Sequence, residues 1–253
     1  VKLTEQKLTG HWPLANATDD YGSDATAVAG SWVGTAAYGP GRFSETNGAA
    51  VFDGSKYISA KDITISANQP FTLAAWIKVD DYGLVRPIFG NMSNYEFQLY
   101  IATNGSVNFQ NWYNSGALSN YLAGTSGGVI KPGTWVHVAY VFRNNSGPQP
   151  GGRIFINGHD MTVSSTLANS GSLDSFATNV TIGATLSYAS KFAGSMADAR
   201  IYNRTLTDAE INELAQDASS ALVGSSYNSG ATELVSYFPI DSLTGNDYGP
   251  AGL

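Results

Sequence analysis

The stretch GRIFINGHDMTV, residues 152–163, constrains the fold more than any other. Two β-prone runs flank Asn157-Gly158, and an Asn-Gly pair supplies the left-handed residues that a tight hairpin turn demands. The same arrangement recurs in EFQLYIATNGSVNFQNW, residues 96–112, around Asn104-Gly105. FTLAAWIKV alternates, with Phe71, Leu73, Ala75, Ile77 and Val79 on one face and Ala74, Trp76 and Lys78 on the other. TWVHVAYVF, residues 134–142, is apolar on both faces, which predicts a strand covered on two sides. In that reading Trp76 and Trp135 belong to the core. NVTIGATL and GSMADARIY add short strands, and Gly, Asn and Ser separate the runs at the spacing of a β-sandwich.

A single helix follows the last strand. Thr207 is the expected N-cap, and Glu210 three residues on completes a capping box. Asp208 and Glu210 suit the positive end of the helix dipole. Ile211 and Leu214 share one face, and Leu206 precedes the cap. A helix near 208–215 is too short to stand alone in water, so it must pack on the sandwich. The expected fold class is all-β, a β-sandwich with one short C-terminal helix.

Composition excludes several functions. Only 13% of the 253 residues are charged, and the formal net charge is −7. Phosphate backbones require clustered Lys and Arg, so nucleic acid is not an expected partner. There is no cysteine, which removes disulfides, thiolate nucleophiles and Cys-based metal sites. No apolar run approaches the roughly 18 residues of a membrane span, so membrane insertion is not expected. A surface solvated by hydroxyls and amides fits an extracellular or cell-surface setting. The opening VKLTEQKLTG lacks an initiator Met and reads as a mature form or an excised piece.

Taken in order, GHWPLANATDDYG, GAAVFDGSKYISA, QPFTLAAWIKV, GTWVHVAYVF, GRIFINGHD and GSMADARIYNRTLTDAEINEL resemble the laminin-G-like, concanavalin A-like jelly roll of the laminin G domain 3 type. The resemblance spans residues 8–218. It implies two antiparallel sheets packed face to face, a structural Ca²⁺, and carbohydrate or cell-surface protein as partner. The implied metal site links the N-terminal loop to the last strand, here Asp19 or Asp20 and Asp198. Family members often carry two acidic residues at the latter place, whereas this chain has Ala197-Asp198. Asp19 and Asp20 can equally cap an Asx turn.

The acidic E-x-D-x-E strand of related glycosidases is missing, as are the strand motifs of polysaccharide lyases, a G-x-S-x-G elbow and a phosphate loop. No catalytic role is therefore assigned, and His11, His137 and His159 read as packing or surface imidazoles. Sugar binding uses aromatic faces ringed by amides. Asn94, Tyr95, Gln98, Asn111, Trp112 and Tyr113 have that chemistry, and the family pattern places Arg86 and Tyr188 in neighbouring loops. The alternative is that these aromatics pack on the sandwich edge. The expected function is a non-catalytic carbohydrate-recognising module; the alternative is a structural repeat of an adhesin, stalk or strand-exchanged filament.

The C-terminal segment explains that alternative. ELVSYFPIDSLTGNDYG parallels KLTGHWPLANATDDYG, with Trp12-Pro13-Leu14 matched by Phe238-Pro239-Ile240. The expected organisation is a sandwich over 1–218, a Gly/Ser-rich linker over 219–232, and the start of a second repeat or an exchanged strand over 233–253. Residues 234–240 are expected to pair with a sheet edge, either in their own chain or in a self-associated neighbour.

Overall fold

The computed structural model describes residues 8–15, 30–60, 63–65, 69–91, 97–113, 118–143, 152–167, 176–177, 180–185 and 189–216. Asp19, Asp20, Asn94, Tyr95, Tyr188, the linker and the segment 233–253 lie outside the described residues.

The strands, in chain order, are β1 (Leu8–Trp12), β2 (Gly30–Val33), β3 (Tyr38–Gly39), β4 (Ala49–Asp53), β5 (Tyr57–Ala60), β6 (Thr64–Ile65), β7 (Phe71–Val79), β8 (Arg86–Asn91) and β9 (Phe97–Ile101). They continue with β10 (Val107–Tyr113), β11 (Leu118–Thr125), β12 (Val136–Phe142), β13 (Arg153–Ile156), β14 (His159–Asp160), β15 (Thr162–Leu167), β16 (Phe176–Ala177), β17 (Val180–Ile182) and β18 (Ala193–Tyr202). The helix α1 (Asp208–Gln216) comes last. One sheet runs β14-β13-β12-β7-β18-β4-β3, with β1 also on β18. The other runs β15-β11-β10-β9-β8-β17-β5-β2, and β16 pairs β6 separately. Every pairing is antiparallel. This is the expected all-β sandwich.

The alternation of β7 places Phe71, Leu73, Ala75, Ile77 and Val79 between the sheets. There they meet Phe97, Leu99, Ile101, Val107 and Phe109 from the second sheet. Phe109 stacks on Tyr140 at 3.7 Å between centroids. β12 is buried along its whole length because both faces are covered. Val136, Val138, Tyr140 and Phe142 face the second sheet, while Ala139 and Val141 join Phe155, Tyr202 and the α1 residues Ile211 and Leu214 in a second apolar layer. Trp76 and Trp135 depart from expectation: both are half-buried, and among the described residues the fully buried tryptophan is Trp12. Trp76 belongs to the outward set of β7, where Arg42 stacks on it at 4.2 Å. Lys78 lies over Trp135.

The Asn-Gly turn forms as expected, with φ of 50° at Asn157 and 83° at Gly158. Its return strand β14 is only two residues long. The chain then crosses at Met161 into the second sheet, where β15 pairs with β11. Arg153 closes this corner, donating from Nε to Asp160 at 2.7 Å and through both terminal nitrogens to Asp208 of α1.

The cap of α1 follows the sequence reading. Glu210 N–H donates to Thr207 Oγ1 at 3.2 Å, and Thr207 N–H donates to Glu210 Oε2 at 2.8 Å. Arg204 adds a guanidinium against the same carboxylate. Leu214→Ala, which empties the layer beneath the helix, is expected to cost about 2–5 kcal/mol in denaturant unfolding. Thr207→Ala is expected to cost about 1 kcal/mol.

Candidate functional site

Of the residues expected to bind a ligand, Gln98 and Asn111 stand on adjacent strands but do not converge. Opposed residues of an antiparallel ladder point to the same face. Asn111 opposes the core residue Phe97, so its fully buried side chain belongs to the inner face. Gln98 opposes Gln110, on the outer face. The partner that sequence reasoning missed is thus Gln110. Register was the missing signal, because it depends on the length of the Asn104-Gly105 turn.

Gln98 Nε2 donates to Gln110 Oε1 at 3.2 Å. Gln98 Oε1 is buried and has no hydrogen-bond partner among the described residues. Tyr100 and Asn108, opposed to each other one step along the same face, are half-buried. Asn108 Nδ2 donates to Ser106 Oγ at 2.9 Å. The result is a run of amides and a phenol across β9 and β10. Trp112 and Tyr113 close β10 after a register shift at Asn111/Trp112; their side chains are outside the described set.

Arg86 does not join this group. Its guanidinium is buried in a clamp, donating from Nη2 to both oxygens of Asp81 at 2.7 and 2.9 Å, from Nε to the Asp81 carbonyl and from Nη1 to the Lys191 carbonyl. The Arg86 hydrogen bond and a backbone N–H from Gly83 lower the Asp81 pKa. Arg86 therefore fixes loops, and its donors are committed.

Asp198 is likewise committed. It is 4% exposed and sits at a bulge in β18 with φ of 54°. Its Oδ1 accepts from His11 Nε2 at 2.6 Å and from Arg200 Nε at 2.8 Å. Burial opposes the charge, but Arg200 and His11 outweigh it and hold the carboxyl well below the usual carboxylate range. A guanidinium on the same oxygen does not fit a calcium ligand, since a hard cation wants uncompensated oxygens. The metal expectation is left to Asp19 and Asp20, outside the described residues.

Beside this cluster, His137 opposes Trp76 across the ladder, with ring centroids 5.4 Å apart. Burial pushes its pKa down from 6.5 to about 3, against the attraction of Asp198. Neither histidine is the surface group that sequence reading allowed.

Residues 52–212 match the laminin G 3 family of the concanavalin A-like lectin/glucanases superfamily, and the chain belongs to that family. Solved structures share the fold. Domain 4 of AbnA, a GH43 extracellular arabinanase from Geobacillus stearothermophilus solved with arabinotriose, is 22% identical with a TM-score of 0.60, covering 83% of this chain and 98% of that one. The binding domain of botulinum neurotoxin DC, in complex with SialylT, is 14% identical with a TM-score of 0.62, covering 84% of this chain and 52% of that one. The binding domain of botulinum neurotoxin serotype C1 is 12% identical with a TM-score of 0.59 and the same coverage. No curated protein matches the chain. Among the described residues no helix is long and apolar enough to cross a membrane.

Two measurements test the buried charges. Asp198→Asn leaves Arg200 buried without its counter-charge and is expected to cost about 3–5 kcal/mol in urea unfolding at neutral pH. The unfolded chain protonates His137 below about pH 6.5, whereas the folded chain does so only near pH 3. His137 thus lowers stability as pH falls through that window, by about 1.4 kcal/mol per pH unit. Between about pH 7.5 and about pH 4.5, the unmodified chain is expected to lose about 2–3 kcal/mol more than His137→Gln. Equal losses would refute the assignment.

Proposed function

We propose that the chain is a non-catalytic carbohydrate-recognising module acting outside the cell or at its surface. The observation that carries this reading is the half-buried polar row Tyr100, Asn108 and Gln110 on the outer face of the second sheet, with the buried Gln98 holding the Gln110 amide by a hydrogen bond. Carboxamides both donate and accept, which suits sugar hydroxyls. Tyr100, half-buried on the same face, brings an aromatic ring of the kind that packs on the C–H face of a sugar ring, and Trp112 and Tyr113 follow in the sequence of β10. An arabinanase domain of this fold was solved with arabinotriose, which supports the ligand class.

The carboxylates support the non-catalytic part. A glycosidic general acid needs a raised pKa. Among the described residues the carboxylates with a resolved shift, Asp53, Asp81, Asp160, Asp198, Asp208 and Glu210, move the other way, held down by hydrogen bonds or ion pairs.

A glycan array including arabino-oligosaccharides and sialylated glycans tests the reading. A specific signal is expected. Gln110→Ala and Trp112→Ala are each expected to weaken it about tenfold or more while leaving the melting midpoint near that of the unmodified chain. Silence on the array, or a signal indifferent to both substitutions, rejects this face as the site.

A further inference from the structure

Strand β1 occupies a slot along the second half of β18, with Leu8 opposite Tyr202, Gly10 opposite Ile201, His11 opposite Arg200 and Trp12 opposite Ala199. The slot has specific demands, and residues 233–240, ELVSYFPI, meet them position by position when set against residues 7–14, KLTGHWPL. Leu8 is buried in the layer beneath α1, and the matching residue is again a leucine, Leu234. Thr9 Oγ1 is buried with no partner among the described residues. Val235 keeps the shape of threonine and removes that unsatisfied hydroxyl. His11 donates to Asp198, and the phenol of Tyr237 can donate in its place. The Pro13 carbonyl accepts the Asp198 N–H at 3.0 Å, a contact that Pro239 retains because proline keeps its carbonyl.

The decisive pair is Gly10 and Trp12. A Cβ on residue 10 would lie 2.3 Å from Trp12 Cη2, 2.8 Å from Cζ3 and 3.0 Å from Cζ2. All three atoms belong to the outer edge of the indole, which a phenyl ring does not have. The C-terminal segment has Ser236 and Phe238 at these positions. It therefore adds the Cβ and removes the obstructing ring edge together, and either change alone would leave a clash or a void. The match ends at Pro239, because Leu14 has φ of 59° and the β-branched Ile240 is strained there.

We propose that residues 233–240 are a second occupant of the β1 slot, so that the C-terminal segment of one copy enters the sheet of another. The partner surface is the Ala199–Tyr202 edge of β18 with Asp198, not an outer edge of either sheet. A copy whose own β1 has left the slot then offers one vacancy and one extra strand, and repetition joins copies head to tail.

The absence of cysteine makes cross-linking clean. Asn203 lies one position beyond the Leu8–Tyr202 pair and is exposed, and residue 233 would oppose it. The full chain carrying Asn203→Cys and Glu233→Cys is oxidised and run without reductant, with Lys7→Cys/Asn203→Cys as the positional control. The expected result is a ladder of disulfide-linked oligomers from the first variant and a cross-linked monomer from the control. No 203–233 disulfide, or one confined to monomers, overturns exchange between copies. The steric argument is tested separately in β1 itself. Gly10→Ser is expected to lower the melting midpoint by roughly 3–10 °C, and Gly10→Ser/Trp12→Phe to regain most of that loss. Failure of the double variant to recover refutes the matched pair.

Discussion

The buried carboxylate of Asp198 is the joint on which the first sheet depends. β18 runs beside β7 on one edge, but its other edge serves β4 first and β1 afterwards. A bulge falls where the partner changes. The extra residue must turn left-handed there, which Asp tolerates better than most side chains. The same residue then uses its backbone N–H on Pro13 and its carboxylate on His11 and Arg200. One position thereby ends the β4 ladder, starts the β1 ladder and neutralises a buried guanidinium. Isolated burial of any of these charges would be costly, whereas together they lock the register of β1.

This arrangement also fills one face of the sandwich. The outer face of the first sheet is taken up by the chain itself, with α1 over Ala139, Val141 and Phe155 and Arg42 over Trp76. The second sheet carries its polar amides outward on β9 and β10. The superfamily is named for both lectins and glucanases, and the fold alone does not choose between them. Among the described residues Tyr100, Asn108 and Gln110 are half-buried on the outer face of the second sheet, while the carboxylates with shifted pKa are held in turns, caps and ion pairs.

Strand alternation, Asn-Gly turns and the capping box of α1 were legible in the sequence because each is a local rule. β7 faces inward with the five residues its period names, and Thr207 and Glu210 cap reciprocally as their spacing requires. Long-range pairing was not legible. Nothing near Gln98 says that Gln110 opposes it and that Asn111 points inward; a register one residue different would reverse both. Arg86 reads as an available cation until Asp81 and the Lys191 carbonyl are brought to it. The His11–Asp198 contact spans 187 positions, and no motif announces such a pair. Trp76 and Trp135 were misplaced because size was weighed above position: the alternation of β7 already sets Trp76 opposite its core face, and Trp135 falls one residue before β12.

The pairing of β1 with β18 has a consequence for synthesis. The first described strand completes its ladder only with the last one, so the nascent chain must carry Leu8, Trp12 and Leu14 unpaired while nearly two hundred residues follow. Closing so large a loop is slow, since its entropy is lost before any contact rewards it. Until β18 has left the ribosome, Trp12 and its strand edge remain available to any other surface, including the same strand on a neighbouring nascent chain. The order of emergence, rather than the strength of the finished sheet, therefore sets the interval during which this domain is most exposed to mispairing.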